Sequence, residues 1–124
     1  MIVGVGIDII EINRIGKAAS KAAFLQRVFT EREIQLYRGR GGNAAVLAGC
    51  FAGKEAVSKA LGSGFRGFWP ADVEILREES GKPFVVLYGG ALALSASLEI
   101  SRWHISLSNT AEYAAAYAVA EAVR

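Results

Sequence analysis

Apolar residues at odd and even positions alike mark residues 2–12, "IVGVGIDIIEI", as a strand rich in Ile and Val. That pattern predicts cover on both faces of the strand. Asp8 interrupts its interior. Further on the period becomes helical. Asn13 is placed to cap a helix running to about Gln26, and Thr30 with Glu33 has the spacing of a capping box, starting a short helix that ends near Arg38. "RGRGGN" reads as a loop. Asn43 caps the longest helix, "AAVLAGCFAGKEAVSKAL", and Gly62 ends it as a left-handed residue. "SGFRGFWPA" is irregular. "DVEILRE" and "PFVVLY" are strands joined by a turn at "ESGK", and "GGALALSASLEIS" is a helix. "WHISLSNT" and "EYAAAYAVAEA" close the chain as an antiparallel pair, although the alanines leave the last segment open to a helical reading. Strands and helices mix without regular alternation, which predicts an α+β fold with helices packed on an antiparallel sheet.

Composition narrows the class. The 124 residues suit one domain, residues 1–124, and a 52% apolar content with 21% charged residues describes a globular protein. No apolar run approaches the length of a membrane span and no basic segment precedes one, so neither membrane insertion nor secretion is expected. A single cysteine, Cys50, forms no internal disulfide and points to the cytoplasm. The net charge of +2 lacks the dense basic stripe of a dedicated nucleic-acid binder.

The candidate chemistry starts at Asp8. On a strand it shares a face with Gly4, Gly6 and Ile10, and a buried carboxylate there needs a cation or several hydrogen-bond donors. The two glycines leave clearance for a ligand or another backbone on that face. Glu55 and Lys59 lie one turn apart on the long helix, on a stripe shared with Phe51, Ala52, Ser58 and Gly62. Alone, such a pair describes many solvated helix faces. Two carboxylates in apolar surroundings suit magnesium, which takes one or two of them and fills its shell with water and substrate phosphates. Lys59 then serves as a point charge for a phosphate oxygen. "GVGID" lacks the third glycine and following helix of a dinucleotide loop.

His104 shares a face with Ser106 and Ser108 and reads as a hydrogen-bonded structural residue, and Cys50 as an inert buried thiol. Arg14, Lys17 and Lys21 form a basic stripe on the first helix, either a solvated face or a docking site for an acidic partner.

Taken together, "GVGIDIIEINRI", "LAGCFAGKEAVSKALGSGF", "GKP" and "WHISLSNTAEYAAAYAVAE" resemble the holo-[acyl-carrier-protein] synthase family, the small 4'-phosphopantetheinyl transferases, over nearly the whole chain. The resemblance implies transfer of the phosphopantetheine arm of coenzyme A to a serine of acyl carrier protein, with release of adenosine 3',5'-bisphosphate. It implies Mg2+ held by Asp8 and Glu55, Lys59 near the phosphate, and Arg14 with the basic helix (Lys17, Lys21) meeting the carrier protein. Ser58, Gly62, Lys82, Pro83, Ser108 and Asn109 fall in regions that line the coenzyme A site. A homotrimer with sites between subunits is also implied.

Two positions depart from the family's pattern. Many members carry arginine at Cys50 and histidine at Asn109. A thiol cannot replace the first charge, which implies either weaker coenzyme A affinity or compensation by another cation such as Arg40 or Lys54. Asparagine keeps a hydrogen bond but cannot titrate. Two alternatives remain open at this point: action on polyketide or peptide-synthetase carriers, and a non-catalytic coenzyme A or nucleotide-binding module. The short single copy favours a fatty-acid carrier.

Overall fold

Helix α4 (Ala44–Ala60) is the element around which the chain is arranged in the computed structural model, which describes residues 1–123. The Asn43 side chain caps it, accepting the Ala45 N–H at 2.9 Å. Gly62, at φ +83°, follows its last turn and donates its N–H to the Lys59 carbonyl. Both ends are as the sequence predicts.

Strand β1 (Ile2–Glu11) opens the chain, and the chain closes with β4 (Arg102–Asn109) and β5 (Tyr113–Glu121). They form an antiparallel sheet in the order β1-β5-β4. The alanine-rich end is therefore a strand. Ala114, Ala116, Ala118 and Ala120 point at α4, while Tyr113, Tyr117 and Val119 point away. Small residues on both sides bring the helix unusually near the sheet. At Gly4 and Gly6 an added Cβ would stand 2.0 and 1.9 Å from the carbonyl oxygens of Ala60 and Ala56. These glycines thus clear room for the helix backbone, the second of the two occupants expected from the sequence, and not for a ligand.

Between β1 and α4 run α1 (Ile12–Ala18), α2 (Ala22–Val28) and α3 (Glu31–Gly39). The single helix expected from Asn13 to Gln26 is broken, and Glu11 rather than Asn13 occupies the first cap. The reason lies in the apolar phase. At about 100° per residue, Ile12, Ile15 and Ala19 would fall on the opposite side of a continuous helix from Phe24, Leu25 and Val28. The chain turns at Ser20, whose hydroxyl donates to the Lys17 carbonyl at 2.7 Å, and both sets reach the core. Lys21 consequently stands in extended conformation ahead of α2, so Arg14, Lys17 and Lys21 do not form one helix stripe. At α3 the capping box is complete: Thr30 Oγ1 accepts the Glu33 N–H and Glu33 Oε1 accepts the Thr30 N–H.

After α4, a short 3-10 turn (Pro70–Asp72) leads into the hairpin of β2 (Val73–Arg77) and β3 (Pro83–Leu87), then α5 (Gly89–Ser97). These antiparallel sheets and their helices make the fold α+β, as expected. The expected cover on both faces of β1 does not come from this chain. Val5, Ile7 and Ile9 are 53%, 61% and 66% exposed, and with Tyr117 they leave an apolar sheet face open. No helix among the described residues is long and apolar enough to cross a membrane.

Candidate active site

Asp8 sits on the helix-facing side of β1, two residues beyond the close approach at Gly6, where its side chain is still 18% exposed. Lys59 reaches across from α4. Its Nζ donates to the Ile7 carbonyl at 2.9 Å and to Asp8 Oδ1 at 3.3 Å. Glu55, one turn earlier on the same helix, lies near enough to Asp8 to feel its charge. Its pKa is raised by burial first and by Asp8 second, with Lys59 opposing both.

Asp8, Glu55, Phe51 and Arg14 line one cleft of about 570 Å³, with Phe24 and Tyr113 on its apolar wall. A hollow of about 410 Å³ on the other side of β1 is bounded by Ile7, Asp8, Ile9, Lys59 and Ala115. Asp8 belongs to both, so the acidic centre is continuous with the open apolar face.

Burial first, and then the charge of Asp8, hold the Glu55 pKa up, and a positive ion beside the two carboxylates offsets both. No group of three or more His, Cys, Asp or Glu side chains suited to a metal occurs among the described residues. A cage supplied wholly by protein, of the kind zinc takes, is therefore absent from them. Two carboxylates beside an open cleft fit magnesium, which keeps water and phosphate oxygens in its shell.

The other sequence candidates separate. Arg14 reaches the cleft, whereas Lys17 and Lys21 are exposed outside its lining. Ser58 was expected on the Glu55 stripe but is 1% exposed, its hydroxyl donating inward to the Glu55 carbonyl at 2.7 Å. Burial removes it from direct ligand contact. Gly62 is exposed beyond the end of α4. Lys82 precedes β3 and Pro83 opens it, and Ser108 and Asn109 end β4. None of these four lines the Asp8–Glu55 cleft within one chain. Ser108 instead borders a shallow depression on the open sheet face with Ile7 and Tyr117, and Asn109 Nδ2 donates to the Thr110 carbonyl.

Cys50 is 3% exposed, donates to the Ile75 carbonyl, and has its pKa pushed up to about 12 by burial, which makes the thiol inert. His104 Nε2 lies 2.9 Å from Glu121 Oε1 on the outer face, and that contact lowers the Glu121 pKa. Lys54 cannot replace a charge missing at Cys50, because it is fully buried against Glu33 at 2.7 Å. Arg40 is exposed after α3 and does not line the cleft. Tyr113 and Phe24 are site residues the sequence reading missed. Tyr113 is betrayed only by its register opposite Glu11, beside the strand end that carries Asp8.

The 4'-phosphopantetheinyl transferase superfamily model matches residues 4–118. The holo-[acyl-carrier-protein] synthase of Clostridium perfringens strain SM101 is 49% identical over 126 residues, covering 98% of this chain and 95% of the relative. That of Clostridium beijerinckii is also 49% identical over 126 residues, with 99% and 100% covered. Among solved structures, the holo-(acyl-carrier-protein) synthase of Bacillus anthracis in complex with CoA (3',5'-ADP) superposes with a TM-score of 0.82 at 36% identity and 99% coverage of both chains. The Neisseria meningitidis holo-[acyl-carrier-protein] synthase gives 0.87 at 35% identity, covering 98% of this chain and 99% of that one. Sequence and fold agree over almost every residue, and the chain belongs to the 4'-phosphopantetheinyl transferase superfamily.

Proposed function

We propose that this protein transfers the 4'-phosphopantetheine arm of coenzyme A to a serine hydroxyl of apo acyl carrier protein, releasing adenosine 3',5'-bisphosphate. The observation that carries it is the meeting of Asp8, Glu55 and Lys59, with Arg14 in the same cleft, in a chain of this family. Asp8 and Glu55 would hold the magnesium, which supplies charge neutralisation on the pyrophosphate. Lys59 adds a fixed positive charge beside Asp8, where phosphate oxygens would lie. The serine Oγ–P bond forms as the P–O bond to the departing bisphosphate breaks. The hydroxyl proton passes to a carboxylate of the cleft, directly or through a water.

Arg14 meets the acidic carrier protein on this reading. Arg14→Glu is expected to raise the KM for carrier protein by about tenfold at low ionic strength, and by less as salt screens the charge. An unchanged KM at low salt would remove Arg14 from the docking surface.

The working assembly is a homotrimer. Its support is the uncovered face of Val5, Ile7, Ile9 and Tyr117, together with the Asp8 and Lys59 hollow that opens toward it. Neighbouring chains would then bring Lys82, Pro83, Ser108 and Asn109 to the coenzyme A site. Sedimentation equilibrium at a single chain mass would overturn the trimer. The cytoplasm is the compartment this reading requires, consistent with the one free cysteine.

The function is tested by incubating the protein with coenzyme A, Mg2+ and apo acyl carrier protein and weighing the carrier. A gain of one phosphopantetheine is expected. No gain under any condition would favour a coenzyme A-binding module without catalysis.

A further inference from the structure

Lys54 stands one residue before Glu55 on α4 and points into the protein, 1% exposed. Its ammonium donates to Glu33 Oε1 at 2.7 Å, the Val73 carbonyl at 2.5 Å and the Pro70 carbonyl at 3.1 Å, which uses all three of its hydrogens. Glu33 is committed as fully. Its Oε1 also accepts the Thr30 N–H and its Oε2 accepts the Ile75 N–H, each at 2.9 Å. The Thr30 hydroxyl in turn donates to Glu74 on β2. Helix α3 and strand β2 are thereby one hydrogen-bonded block, and Lys54 ties α4 to it.

Stability alone does not explain an ion pair this deep. Desolvation costs each ion several kcal/mol, and an apolar pair of similar volume is often equally stable or better. Directional bonds supply orientation, which apolar contacts do not. Helix α4 needs that orientation, because its sheet-facing surface is alanine and glycine packed on the alanines of β5 and the glycines of β1. The helix contributes only methyl-sized ridges there, and the larger side chains that fill the seam, Ile75 and Ile105 at Gly53 and Leu107 at Gly49, can change rotamer, so packing sets the rotation of α4 less sharply than directional bonds do.

Consecutive helix residues point about 100° apart, so fixing Lys54 fixes the direction of Glu55. Side chains end about 5–6 Å from the helix axis, and a turn of about 20° would move the Glu55 carboxylate by about 2 Å. We infer that the buried Glu33–Lys54 pair is a positioning device for the phosphate site, setting the rotation of α4 so that Glu55 meets Asp8 across the cleft. The inference rests on the transfer reading above, and the pair acts through Glu55 without touching substrate.

The test replaces both residues, Glu33→Leu with Lys54→Met, which removes the directional bonds without leaving a buried charge. The double variant also strands the Thr30 and Ile75 N–H groups and the Val73 carbonyl, so it is expected to unfold cooperatively with a Tm lower by about 10 °C or more, and it is assayed well below that Tm. Its kcat is expected to fall by about tenfold or more, with the KM for coenzyme A little changed, and its Mn2+ affinity by about tenfold, measured by EPR of the free ion. A folded double variant with wild-type kcat and Mn2+ affinity would overturn the inference. Should the double variant fail to fold, Lys54→Met alone takes its place, with Glu33 free to take up a proton and keep its bonds to Thr30 and Ile75: a lower kcat and weaker Mn2+ binding support positioning, and wild-type values overturn it. A wild-type protein that transfers no phosphopantetheine fails the functional reading instead, and the Mn2+ measurements then decide the positioning of Glu55 independently.

Discussion

Asp8→Asn and Glu55→Gln are each expected to cut turnover by about a hundredfold or more while leaving a cooperatively folded protein. Both substitutions keep size and hydrogen-bonding capacity and remove one negative charge. The loss follows on the proposed reading because the two carboxylates would hold the magnesium that neutralises phosphate charge, and losing one preorganised electrostatic contact costs about 10²–10³ in rate at other sites. The fold should survive because neither carboxylate holds the core. Asp8 pairs with a half-exposed Lys59 at 3.3 Å, an exposed geometry worth about 1 kcal/mol or less.

Stability should move in opposite directions from activity at Glu55. Its folded-state pKa lies above the ordinary 4.5, so the unfolded chain releases the proton first as pH rises. Stability therefore falls as pH climbs from about 4.5 through the folded pKa, and the penalty is fully present above that value. In metal-free buffer at pH 7, Glu55→Gln should melt above wild type, and the gain should vanish below about pH 4.5, where the wild-type carboxyl is protonated in both states. Thermal melts at the two pH values with a single-turnover transfer assay would decide it. Wild-type rates in either variant would sink the two-carboxylate site.

Local patterns carried much of this molecule. The cap at Asn43, the capping box at Thr30 and Glu33, and the left-handed Gly62 each depend on a few neighbouring residues, so they were readable without tertiary knowledge. Asp8, Glu55 and Lys59 were readable as chemistry because charge inside an apolar pattern requires a reason. What depends on packing partners was not. Glu33 reads as a helix cap, and nothing local reveals that the same carboxylate accepts a buried ammonium from Lys54. Ser58 occupies the expected helix stripe, yet the close contact between α4 and the sheet turns that part of the stripe inward. The outer face of β1 was legible as apolar, but nothing in this chain covers it. Lys82, Pro83, Ser108 and Asn109 stand apart from the cleft for the same reason: one chain does not bring them together with Asp8.

Gly6→Ala is expected to be the most damaging single methyl in the protein. The new Cβ would sit 1.9 Å from the Ala56 carbonyl oxygen and 2.9 Å from both the Ala56 carbonyl carbon and the Ala60 nitrogen. All three are helix backbone, so no side-chain rotation relieves the clash, and α4 must retreat from β1 by more than an ångström. Because α4 also packs on the alanines of β5, that retreat opens a gap along the whole interface and forfeits its dispersion contacts. Overpacking a core costs about 1–3 kcal/mol where neighbours can adjust, and a backbone obstacle places this site at or beyond the upper end. For a chain of this size the Tm should fall by about 10 °C or more. Gly39→Ala is the matched control, since nothing lies within 4 Å of its added Cβ, and it should melt close to wild type. A Gly6→Ala protein melting with wild type would mean that helix and strand are not in contact there. Activity adds an independent reading of the same displacement. β1 carries Asp8 and α4 carries Glu55 and Lys59, so moving one element from the other separates the two carboxylates. Transfer measured well below the lowered Tm should therefore remain depressed, because the methyl group at position 6 widens the site that position 8 helps to form.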